Sequence, residues 1–415
     1  MRHFLFTYAI FGGIIFFSVA SFFGVAIDSG GVEDSNAYLL VSVGVFLYII
    51  IYYLLYLINN HNRYRVSNWI SLLVLCVVVI IALCEGYMNS RIFHLFGVFC
   101  IPASFVGLYY AQTRSINKLL KYLDIVMLAI TFGSMFAMLG FVQAIMLGDD
   151  NYSQSLSYNI AMAISINLFL LRYGNNIERF SFCKHPYYNV LSVVLFIPQL
   201  LILFLSGGKG GFVALFCSFI FLMAIERNFS KLIKYCFYII TCIIFLILSV
   251  EFLPNEANEV LEQGTNRIFS YISQDGIDMT QTSGRDELYS FSINLAKRNL
   301  FGYGLFSYTS IMSQWSPVQG SIYPHNVFIE FLLQGGVVYC VLFTLFLLFL
   351  AIKMFRICNI DKSHLLLMPL VINTFSMLQF SATYLQTSLF WFILMYVSNF
   401  QCPVANNTRK PKGFI

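Results

Sequence analysis

Charge is what this chain is shortest of. Only 10% of its 415 residues are Asp, Glu, Lys or Arg, while 59% are hydrophobic; a soluble domain carries about 25% charge. A water-soluble core of this length is therefore excluded. Cysteine occurs ten times, yet there is no C-x-x-C, and no cysteine falls in the one long polar stretch. Neither a disulfide framework nor a thiolate metal site is indicated. The phosphate loop G-x-x-x-x-G-K-[ST] is missing, and no D-x-D or H-x-x-H accompanies the acid pairs Asp149-Asp150 and Asp275…Asp278, so no metal site is indicated. No internal repeat is evident, whereas many transporters are built on one. The first apolar run is too long for a signal peptide and ends in Asp28-Ser29-Gly30-Gly31 rather than a small-x-small cleavage site, so it reads as a retained span.

What is present is a succession of apolar runs, each near the ~20 residues a helix needs to cross about 30 Å of hydrocarbon. The runs predict an all-α integral membrane protein of about twelve spans. The first lies near Phe4–Ile27 and the ninth near Leu232–Leu253. The eleventh and twelfth, near Leu365–Phe380 and Tyr384–Phe400, form a tight hairpin broken at Ser381-Ala382-Thr383. A β-barrel is excluded, because barrel strands alternate over ~10 residues instead of staying apolar for twenty. The chain divides into nine spans over 1–252, a large polar loop over 253–323, three spans over 324–400 and a basic tail over 401–415. With the N-terminus inside, 18 of the 24 basic residues fall on inner segments. The bias of Lys and Arg toward the cytoplasm then puts both termini inside and 253–323 outside. The net charge of +5 sits beside the membrane, where anionic lipids lie; it calls for no nucleic acid.

A pure channel or pump keeps its working residues within its spans; here basic and imidazole groups gather in the outer loop. Pro254 to Gly264 reads as a short helix. Ser283-Gly284-Arg285-Asp286 resembles a capping box opening a second helix, Arg285–Arg298, with acids in its first turn and Lys297 and Arg298 in its last. Leu288, Phe291 and Leu295 give that helix an apolar face, to lie on the membrane surface or on the span bundle. Arg285 at its head is either a solvated surface arginine or, with the free N–H groups there, an anion site suited to a phosphate or diphosphate. Lys209 lies in Ser206-Gly207-Gly208-Lys209-Gly210-Gly211, which is either a glycine turn with a solvated lysine or a backbone nest for an anion. His325, between Pro324 and Asn326, is either an interfacial residue satisfied by water or the group that takes a proton near neutral pH. Glu330 follows inside a span, where an unpaired charge is expensive; a nearby basic group as partner, or a role orienting His325, is expected.

Leu205-Ser206-Gly207-Gly208-Lys209-Gly210, Ser283-Gly284-Arg285, Asn299-Leu300-Phe301-Gly302-Tyr303-Gly304 and Pro324-His325-Asn326-Val327-Phe328-Ile329-Glu330, in this order, resemble the O-antigen polymerase and ligase superfamily. The likeness is detailed over roughly 200–340. It implies a bacterial inner-membrane glycosyltransferase that moves glycans from undecaprenyl diphosphate to a sugar hydroxyl at the periplasmic face, without metal, nucleotide or other cofactor. On this chain Lys209 and Arg285 would bind the lipid diphosphate and His325 would act at the acceptor hydroxyl, with Glu330, Gly304 and Asn326 in support. The implied partners are the lipid-linked donor and acceptor, membrane lipid and a chain-length regulator protein. Two positions depart from the family pattern: Lys209 stands where many members have arginine, and Gln334 where an acid often precedes the glycine. The leading expectation is a polymerase that adds the growing chain to a new lipid-linked repeat unit. The alternatives are a ligase that transfers to lipid A–core, and a flippase for the same lipids.

Overall fold

The computed structural model describes residues 1–22, 36–60, 66–87, 90–146, 154–225, 285–317 and 322–401, with isolated residues between 258 and 277. The expected ninth span, the acid pairs, the Ser283-Gly284 cap, the tail beyond 401 and, apart from Asn258 and Glu262, the Pro254–Gly264 helix lie outside the described residues.

The chain is an all-helical membrane protein. Among the described residues eight helices are long and apolar enough to cross a bilayer, from Arg2–Phe22 to Lys362–Phe380. Three shorter apolar helices, Asn68–Cys84, Lys209–Ile225 and Ser388–Asn399, coincide with further expected spans. The only strands among the described residues are two-residue pieces, Ile272–Ser273 paired antiparallel with Gly276–Ile277.

Several polar residues at helix depth are paired across helices, because hydrocarbon offers them no water. Gln199 donates to Thr131 at 2.8 Å and Asn167 to the Ser192 carbonyl at 2.7 Å, tying three spans together. Arg179 makes a two-pronged buried pair with Asp124. Small residues bring other spans close: a Cβ on Gly107 would sit 2.6 Å from the Phe392 carbonyl, and α-helices 101–113 and 388–399 pack tightly there.

The span Val327–Ile360 is broken at Gly335 and Gly336. Gly336 has φ +69° and ψ −165°, a conformation essentially reserved for glycine. The break frees helix carbonyls, and the segment 300–304 takes them up. Tyr303 N–H donates to the Leu333 carbonyl at 2.7 Å, Gly304 N–H to Gln334 at 2.9 Å, and Val337 N–H donates back to Leu300 at 3.3 Å. Irregular backbone at a span survives only where protein satisfies it, and this exchange does so.

The amphipathic helix forms over Arg285–Arg298. Leu288 and Leu295 are buried against Tyr308, Met312 and Leu333, with Phe291 packed alongside. It thus rests on the short helix Tyr308–Trp315 and the first part of the broken span. Of the two expected resting places, the bundle is the one it takes.

Candidate active site

Segments far apart in sequence meet at one end of the bundle, and the loop motifs are what joins them. Glu85, just past the helix Val66–Cys84, accepts from the backbone N–H groups of Leu305, Phe306 and Ser307 at 2.8, 2.9 and 3.0 Å, and from the Ser307 hydroxyl at 2.8 Å. A carboxylate at the start of the helix Tyr308–Trp315 satisfies donors that have no partner within the helix. Gly304, at φ +101°, passes so close that a Cβ there would lie 2.6 Å from the Glu85 carboxylate. Only glycine fits at 304 so close to Glu85.

Asn326 caps the broken span: its side-chain oxygen accepts from Phe328 N–H at 3.1 Å and Ile329 N–H at 3.2 Å, and its amide donates to Gln379 at 3.2 Å. An Asn cap fixes where the helix begins, and so fixes the preceding residue. His325 has φ +54°, uncommon for a residue with a side chain. Its ring lies edge-on to Tyr323 at 4.6 Å between centroids, and Nδ1 is buried with no hydrogen-bond partner among the described residues. Burial pushes the imidazole below its ordinary 6.5; the Ser381 carbonyl beside the ring opposes that shift, and the Arg285 charge adds to it. The ring is therefore neutral near pH 7.

Arg285 donates to Gln154 at 3.3 Å, the first residue of the helix Gln154–Tyr173. One turn on, Ser157 donates to the Gly208 carbonyl at 2.6 Å, and Tyr158 lies against Gly210, where a Cβ would collide with the phenol. Arg285 and the turn that carries Lys209 therefore flank the same first turn of one helix. Lys209 itself opens the helix Lys209–Ile225. The glycines around it have a packing reason: Cβ atoms at 208, 210 and 211 would all overlap Ser157 or Tyr158.

Glu330 is 1% exposed, and its partners are not those expected. Tyr308 donates to it at 2.7 Å, Gln334 at 3.3 Å, and Thr383 makes a short hydrogen bond to the same oxygen. Among the described residues neither a basic group nor His325 hydrogen-bonds to it. Gln334 in turn accepts from Tyr384, so the amide that departs from the family pattern bridges a carboxylate and a phenol. A carboxylate there would face Glu330 directly.

Arg285 is near enough to His325 for its charge to act on the ring. Lys209 stands among glycines packed on Ser157 and Tyr158, the helix turn that Arg285 also reaches. Asn326 caps a helix, Gly304 packs on Glu85, and Glu330 lies in a hydroxyl cluster. Gln154, Tyr158, Glu85 and Ser381 were not legible as members of the site. Ser381-Ala382-Thr383, read as a hairpin break, supplies two of its polar groups; that polarity within an apolar run was the available signal. Among the described residues no three His, Cys, Asp or Glu side chains cluster as metal ligands do.

Arg285 and a neutral His325 thus stand near one another at one end of a bundle of apolar helices. Residues 191–344 match the family model described as O-antigen ligase, which bears out the resemblance to the O-antigen polymerase and ligase superfamily over that stretch. No curated protein and no solved structure matches the chain.

Proposed function

We propose that this protein is a surface-glycan polymerase of the inner membrane, acting at the periplasmic face. The growing glycan on undecaprenyl diphosphate is the donor, and a sugar hydroxyl of a new lipid-linked repeat unit is the acceptor. The observation that carries the reading is that the Arg285 charge acts on a neutral His325, held at positive φ, outside the spans. The Ser381 carbonyl beside the ring would take an N–H from one nitrogen and leave a lone pair on the other, since the hydrogen bond at one nitrogen sets the tautomer. That lone pair accepts the acceptor's hydroxyl proton as the oxygen attacks the anomeric carbon. The new C–O bond forms opposite the breaking one, so the centre inverts. The bonding electron pair leaves with the undecaprenyl diphosphate, whose charge Arg285 and Lys209 neutralise. Positioning and electrostatics carry such a reaction without a covalent intermediate.

The description of the matched family favours a second reading, ligation of polymer to lipid A–core. That acceptor is large and strongly anionic, and the outer segments carry only six basic residues. This thin positive field favours the polymerase. Deleting the gene and resolving the lipopolysaccharide on a gel separates the two. The polymerase reading expects core bearing a single repeat unit; bare core, with long polymer retained on undecaprenyl diphosphate, would replace it with the ligase.

The orientation has its own test. A cysteine at Gln274, in a background without native cysteines, is expected to react with an impermeant thiol reagent in intact spheroplasts. Labelling only after lysis would overturn the periplasmic placement of 253–323.

A further inference from the structure

Three buried polar atoms with no hydrogen-bond partner among the described residues share one place: Tyr158 Oη, Ser381 Oγ and His325 Nδ1. Buried polar groups are usually bonded, and what sets these three apart is the guanidinium beside them. Ser381 neighbours both Tyr158 and His325, and Arg285 neighbours both as well. Tyr158 is the sharpest of the three. It is 3% exposed, and the phenol lies against Gly210, where only the missing Cβ leaves it room. An apolar ring would serve that packing equally well. Ser381 and Gln154 lie beside that hydroxyl but form no well-made hydrogen bond with it, and a buried hydroxyl without an acceptor is a cost unless something else supplies one. The charge beside it is a guanidinium, so the acceptor that fits is an anionic oxygen.

We propose that Tyr158 is a substrate-binding residue whose O–H donates to a phosphoryl oxygen of the lipid diphosphate held by Arg285, with the Ser381 hydroxyl as a second donor. This rests on the transferase reading above and adds to it the groups that would complete the diphosphate cradle. As the anomeric C–O bond breaks, negative charge grows on the diphosphate, and a neutral donor bonded to it tightens its hold without adding charge to the site.

The test uses the full-length protein in lipid nanodiscs, with undecaprenyl diphosphate and undecaprenol as probes. Tyr158→Phe keeps the ring and removes only the hydroxyl. Its affinity for the diphosphate is expected to fall by roughly tenfold or more, the effect of losing a hydrogen bond to a charged group. Its affinity for undecaprenol is expected to stay at the wild-type value. Ser381→Ala should show the same pattern more weakly. Wild-type diphosphate affinity in Tyr158→Phe, or an equal loss on both probes, overturns the assignment. Arg285→Ala distinguishes the two failures. If it weakens diphosphate binding while Tyr158→Phe does not, only the role of Tyr158 falls. If neither does, the diphosphate site itself is wrong and this proposal falls with it.

Discussion

Glycan elongation is expected to fall by roughly thirtyfold to five-thousandfold in Arg285→Ala and by roughly a hundredfold to ten-thousandfold in His325→Ala, with the protein still reaching the membrane. Removing one member of a buried charge-assisted contact costs about 2–5 kcal/mol, and each 1.36 kcal/mol is about tenfold in rate; a positioned general base contributes a similar range. Arg285→Lys should recover little, because an ammonium cannot reproduce the planar fork that grips two phosphoryl oxygens. Neither change touches the fold deeply, since Arg285 heads a helix that is anchored by Leu288 and Leu295 and His325 precedes a span that is capped by Asn326. The pH profile gives an independent signature. A base whose pKa lies below 6.5 in the folded protein is deprotonated and competent at neutral pH, and it is lost only as pH falls through that lowered value. The acid limb of elongation should therefore lie below pH 6.5. Removing the Arg285 charge should move it upward, because one of the influences that lower the pKa is gone. In vivo polymer length on gels, and rates in nanodiscs across pH, check both parts. Normal elongation in Arg285→Ala would remove the diphosphate clamp from the mechanism.

The sequence and the structure agree most where a single local rule decides. The helix Arg285–Arg298 falls where its acid start, basic end and apolar spacing put it, since dipole and periodicity act within a few turns. Apolar runs mark the spans for the same reason. What was hidden depends on contacts between distant segments. Glu85 bonds residues 305–307 across more than two hundred positions, and nothing in its own neighbourhood announces a cap for a loop helix. Gln154 and Tyr158 lie at the head of a span whose composition is unremarkable. Glu330 was legible as a costly intramembrane carboxylate, but its partners were not. A basic group was the expected answer on charge alone, and the chain satisfies one of its oxygens with hydroxyls instead. Lys209 and its glycines show the opposite ambiguity: the sequence admits an anion nest, while the observed close approach to Ser157 and Tyr158 already gives the glycines a reason.

The backbone exchange at Gly335-Gly336 makes the last strong expectation. Gly336→Ala should lower the thermal midpoint of the detergent-solubilised protein markedly and abolish elongation, whereas Gly44→Ala should leave both near wild type. At 336 the added methyl group meets the Leu300 carbonyl, which is backbone and cannot rotate aside, and φ stays at +69°. The conformational penalty alone is about 1–3 kcal/mol, and overlap with fixed backbone adds to it. Relief requires the segment 300–304 to leave the broken span, which would break the Tyr303, Gly304 and Val337 hydrogen bonds together. The loss would travel outward through Gly304 to the Glu85 cap and inward through Gln334 to Glu330. Gly44 is a helical glycine with nothing within 4 Å of an added Cβ, and alanine there gains helix propensity, so the pair isolates the exchange from any general sensitivity of spans to substitution. If Gly336→Ala unfolded and elongated like the wild type, the break in the span would not be what holds the loop that carries this site.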